Sequence, residues 1–117
     1  MSQLNDALRR LHGREGVEHV VLLGADGLLI RHLGASVPEP DTIAAMVPGL
    51  VSAAASLGSA ADGGEFATAV IEFSQRVAIV LRLSSDLLLA LVLSPGIGFA
   101  PLLREVRGER DRLAGLL

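Results

Sequence analysis

The chain contains no cysteine, which excludes a disulfide framework and any thiolate metal site. It also contains no lysine, since all 10 basic residues are arginine. A phosphate-binding loop built on lysine is therefore unavailable. An arginine-only basic set points to a GC-rich genome and a bacterial source. There is no tryptophan or tyrosine, and the aromatics are Phe66, Phe73 and Phe99. Platforms on which bases stack are missing, and a net charge of -3 argues against nucleic acid as a partner. A signal-peptide pattern is absent too, because Asp6, Arg9, Arg10, Arg14 and Glu15 interrupt the first segment. A cytoplasmic location is the expectation.

What is present is apolar surface. Half of the 117 residues are hydrophobic, enough for one domain spanning 1–117 with a core that needs no staples. Thr42 to Ala61 and Leu87 to Leu103 carry no charge, so membrane spans must be weighed. The first run contains Pro48, Gly49, Gly58 and three serines, and the second is broken by Ser94-Pro95-Gly96. Both make poor spans, and the alternation of charged and apolar blocks elsewhere is globular.

Ser2 is placed to cap a short helix with apolar positions Leu4, Leu8 and Leu11, ending near Gly13. Val17 to Gly24 and Leu28 to Leu33 form two strands around Asp26-Gly27, a hairpin signal. A helix starts at Pro40 or Asp41, runs to about Ala60 with Pro48 inside it, and closes at Asp62-Gly63-Gly64. Strands follow at Phe66 to Phe73, Val77 to Leu83 and Leu87 to Leu93. Phe99, Leu102, Leu103, Val106, Arg110, Leu113 and Leu117 then fall at helical spacing. The fold class is α+β, in the order αββαβββα. The strands after the middle helix are too close together for parallel crossovers, so the five-stranded sheet is expected to be mainly antiparallel. Both arms of the first hairpin and the whole last strand are apolar on both faces. Such runs belong to inner strands covered by helices on both sides.

The middle helix has a stripe of larger residues, Ile43, Met46, Val47, Leu50, Ala54 and Leu57, expected to face the sheet. Its opposite side carries Ala45, Gly49, Ser52, Ser56 and Ser59, with Ala44, Pro48, Val51 and Ala55 beside it. This side is small and uncharged, whereas an exposed helix face normally carries charge. Small residues permit close approach of another helix. The expected neighbour is the same helix of a second copy, packed about a two-fold axis.

Catalytic and metal chemistry find little support. His19 and His32 share a sheet face if the hairpin loop has two or four residues, and lie on opposite faces if it has three. Two imidazoles fall short of a metal's ligand set, and His12 is the only other histidine. No serine sits in a nucleophile elbow. Gly96-Ile97-Gly98 lacks the third glycine of a dinucleotide fingerprint. Asp62, Glu65, Glu72 and Asp86 are scattered at strand ends. No catalytic, cofactor-binding or metal-binding residue is assigned, and the expectation is a protein that is not an enzyme.

Three stretches together resemble the roadblock family, named for dynein light chains: "VVLLGADGLLIRHLG", "IAAMVPGLVSAAASLG" and "VAIVLRLSSDLLLALVLSP". The resemblance spans the whole chain and implies a profilin-like fold. Members of that family dimerise by joining sheets edge to edge and packing their middle helices. Many of these dimers are platforms for Ras-like small GTPases, and the bacterial gliding-motility members activate a partner GTPase by reshaping its own catalytic groups. On this chain the resemblance implies a homodimer seam at the middle helix (Ala45, Gly49, Ser52, Ser56) and a joining strand bearing Phe66, Thr68 and Val70. The GTPase would dock on or beside the paired helices, through residues that no motif fixes. Arg31 and Arg76 give no reason to posit an arginine finger. A GTPase-independent scaffold, including a heterodimer, and a small-ligand sensor are the alternatives. The latter is weakened by the shortage of convergent polar groups.

Overall fold

A computed structural model describes residues 2–116, without the side chain of Ser2. The capping role expected of Ser2 and the helical position of Leu117 lie outside the described residues. The elements are α1 (Ser2–His12), β1 (Val17–Gly24), β2 (Leu29–Gly34), α2 (Pro40–Ala60), β3 (Thr68–Glu72), β4 (Val77–Arg82), β5 (Leu87–Leu93) and α3 (Ala100–Gly115). The strands form one sheet in the order β2-β1-β5-β4-β3, antiparallel throughout. Order, fold class and most boundaries match the expectation. β3 is shorter than the Phe66–Phe73 run that suggested it, because Phe73 is already bonded into the turn to Arg76.

Alternating side chains on the inner strands feed two cores. Leu22, Ile79, Leu81, Leu89 and Leu91 face one way and pack with Leu8 and Leu11 of α1 and Leu102, Val106 and Leu113 of α3. Their neighbours Val21, Leu23, Val80, Leu88 and Ala90 face the other way and meet Ala44, Val47 and Val51 of α2. The continuous apolar run of β5 is therefore required by both layers. α1 and α3 are further tied by Arg14 to Glu105 (2.8 Å) and Arg10 to Glu109 (3.5 Å). These exposed pairs orient the helices more than they stabilise them.

The first hairpin turns at Gly27, whose φ of 87° is costly for other residues. Asp26 Oδ1 accepts from the Leu28 amide at 3.1 Å, and the Gly27 amide bonds Gly24 O. Gly16 is also constrained: its φ is 87°, and a Cβ there would lie 2.6 Å from Ile97 Cγ1.

Two expectations are corrected. Only one arm of the hairpin is an inner strand: β1 is buried along most of its length, whereas β2 is a sheet edge. Ile30 bulges out of the β1–β2 ladder and is 49% exposed. The sheet-facing stripe of α2 is also rotated. Ala44, Val47 and Val51 are buried, while Met46 and Leu57 are each 70% exposed. Ile43 and Leu50 pack at the margin of the same core. Met46 and Leu57 alone of the larger side chains are turned to the helix flank.

Candidate protein-interaction surface

The sheet has two edges, and they differ. β2 is protected by its bulge and carries Arg31 and His32. β3 pairs with β4 residue by residue from Thr68↔Leu81 to Glu72↔Val77 without irregularity. Ala67 O accepts from Arg82 N, and Phe73 N donates to Arg76 O. By antiparallel alternation, Ala67, Ala69, Ile71 and Phe73 direct their backbone groups to β4. Thr68, Val70 and Glu72 then direct theirs outward. Three consecutive outward positions on a regular, proline-free edge form a pairing template.

Beside this edge lies an apolar groove of about 500 Å³. Its walls are Ile43, Met46, Val47 and Leu50 of α2, and Ile71, Phe73, Ala78, Val80 and Val92 on or next to the sheet. α2 thus covers only part of its sheet face and leaves the part next to β3 open. The flank that overhangs the groove carries Met46, with Leu57 three turns further on, and Phe73 is exposed at its mouth. An apolar surface of this kind on a charged protein marks an interaction site. Among the described residues α2 is also the one helix long and apolar enough to cross a membrane by length and composition. Its packing through Ala44, Val47 and Val51 accounts for part of that apolarity, and the open flank accounts for more.

The small residues singled out from sequence, Ala45, Gly49, Ser52 and Ser56, are all exposed. A Cβ on Gly49 would meet nothing within 4 Å. Ala45 and Pro48 approach the hairpin turn, since a Cβ on Gly27 would lie 3.6 Å from Ala45 Cα and 3.4 Å from Pro48 Cγ. The small face therefore points outward and toward the β1–β2 turn, whereas the Met46–Leu57 flank points toward β3. Thr68 and Val70 lie on the open edge, and Phe66 precedes it, half-buried against the α2-side core. The missed residues are Met46 and Leu57. The sign of their exposure was in the sequence: Ala44 and Val51 lie at helical spacing with Val47.

The chemistry-bearing side chains gather along β1 and the strand ends beside it, and Arg76 among them also lines the groove. His19 and His32 share the α2-side face, diagonally, with rings stacked at 5.4 Å and Nδ1 to Nε2 at 3.1 Å. His19 is 3% exposed. Burial pushes its pKa below the ordinary 6.5, and the neighbouring His32 charge acts in the same direction, opposed by Glu18. Glu18 accepts from Ser94 Oγ (2.7 Å) and from Arg76 Nε (2.6 Å). The Ser94 hydroxyl first, then the Arg76 guanidinium, hold its carboxyl below the ordinary 4.5 against the opposing cost of burial. Arg76 is committed to this pair and to Gln75 O. Arg31 stands opposite Leu22 on the edge strand. Among the described residues no group of three or more histidines and carboxylates is arranged to hold a metal.

The profile described as Roadblock/LC7 domain matches residues 4–93. No curated protein matches the sequence. Among solved structures, MglB of Myxococcus xanthus superposes with a TM-score of 0.89 at 18% identity, covering 99% of this chain and 95% of that one. An MglB in a tetrameric arrangement gives 0.86 at 19% identity, covering 97% and 86%. A Roadblock/LC7 domain from Streptomyces avermitilis gives 0.77 at 27% identity, covering 92% and 94%.

Proposed function

The chain belongs to the Roadblock/LC7 domain family, and from that premise we propose that it is a cytoplasmic, homodimeric, non-enzymatic regulator of a Ras-like small GTPase. Two β3 edges pair antiparallel about a two-fold axis. The axis brings the groove-side flank of each α2 against its counterpart, so that Met46, Leu50 and Leu57 are covered by the second copy. The seam then includes Phe66, Thr68 and Val70 as the resemblance implies. The small face of α2 is left on the outside of the pair. Ala45, Gly49, Ser52 and Ser56, doubled by symmetry, form a flat uncharged platform for the GTPase.

The observation that carries this reading is the coincidence of two unsatisfied surfaces. A regular open strand edge and an apolar helix flank lie on the same side of the protomer, so one partner covers both. Either surface alone has other uses, but together they fit a second copy of this fold. The bacterial gliding-motility branch of the family supplies the regulatory role, as activator or co-regulator. In this reading an effect on hydrolysis comes from reshaping the GTPase's own catalytic groups.

The experiment is a binding and single-turnover assay with a small GTPase encoded beside this chain. Binding with a changed hydrolysis rate supports regulation. Binding with an unchanged rate argues against regulation of hydrolysis and favours a scaffold role. Light scattering on the isolated chain tests the dimer itself, and a monomer at high concentration would overturn it.

A further inference from the structure

Arg110 of α3 leans over the open edge: its Nη1 lies 3.5 Å from Thr68 Oγ1. Among the described residues it forms no ion pair, and neither does Glu72 at the far end of the same strand. The side chains of Thr68, Val70 and Glu72 share one sheet face, because their β4 partners Leu81, Ile79 and Val77 all belong to the α1–α3 core. Thus the edge carries a cation at one end and a carboxylate at the other, on the same side of the sheet. Between them lies Val70.

A two-fold axis fixes what such an edge meets. Pairing that uses all three outward residues has a single register: Val70 opposite Val70 of the second copy, and Thr68 opposite Glu72. Any other register leaves outward backbone groups unpaired. Residues directly opposite in an antiparallel pair have Cβ atoms about 5 Å apart. Glu72 of the second copy would then stand beside Thr68, within reach of the guanidinium already resting there. Given the two-fold pairing proposed above, on which this rests, we infer that Arg110 and Glu72 of opposite copies form a pair of symmetric ion pairs that lock the β3 register and select a second copy of this chain. The arrangement is self-complementary, as an isologous interface requires.

Charge reversal tests it. Arg110→Glu and Glu72→Arg each turn two attractive contacts into two repulsive ones. Each is expected to raise the dimer dissociation constant about tenfold or more in low salt, measured by sedimentation. Mixing the two single variants restores both contacts in a heterodimer. The double variant restores them in a homodimer. A mixture that dimerises more tightly than either variant alone supports the register lock, and a folding defect cannot produce that result. A mixture no tighter than its components, with the unaltered chain dimeric, overturns the lock and leaves the dimer standing. A monomeric unaltered chain overturns the dimer and the lock together.

Discussion

Met46→Arg separates the flank seam from every alternative. In the protomer Met46 is 70% exposed at the wall of an open groove, so protomer stability should shift by about 0.5 kcal/mol or less. In the proposed dimer the same side chain is covered. Full burial of a methionine is worth about 1.5–3 kcal/mol, so the exposed seven-tenths is worth about 1–2 kcal/mol per copy. Both copies change at once, giving about 2–4 kcal/mol per dimer, before any cost of confining two guanidinium groups near each other. The dissociation constant should therefore rise by about 30- to 1000-fold. Sedimentation velocity across a dilution series measures it, with circular dichroism as the check on fold. A Met46→Arg chain that dimerises as tightly as the unaltered one would refute the placement of the seam.

Other outcomes follow from the same geometry. Gly49→Arg should leave the dimer intact, because a side chain there meets open space, but should abolish GTPase binding in a pull-down; loss of the dimer instead would return the seam to the small face. His19 has a folded pKa below its ordinary value, so the unfolded chain takes up a proton that the folded chain refuses. Its contribution is full above pH 6.5 and is lost as pH falls through that value toward the lowered one, at no more than about 1.4 kcal/mol per pH unit. Urea midpoints between pH 7.5 and 5.5 should decline, and His19→Gln should flatten the decline. Gly16→Ala should cost about 2 kcal/mol or more by urea unfolding, since it combines a positive φ with a clash against Ile97.

Element order was legible because each element carries its own punctuation. Asp26-Gly27, Asp62-Gly63-Gly64 and Ser94-Pro95-Gly96 each close an apolar run, and β5 is apolar at every position because two cores share it. The rotation of α2 was less legible. A helix rich in alanine has almost no amphipathic contrast, so size alone points its larger residues inward. The structure turns Ala44 and Val51 inward beside Val47 and leaves Met46 and Leu57 outside. The rank of β2 as an edge was hidden for a related reason. Leu28 and Ile30 read as core residues, and only the sheet order reveals that one side of the strand is open. The β3 edge and the position of Arg110 above it depend on packing between distant segments, so no local pattern announced them.

Amide hydrogen exchange along β3 tests the central claim most directly. The amides of Ala69, Ile71 and Phe73 face β4 and should be protected at every concentration. Those of Thr68, Val70 and Glu72 face outward. They should be protected when the chain is concentrated and should exchange freely once dilution separates the copies. Rapid exchange at all three positions, unchanged by concentration, would contradict the edge-paired dimer.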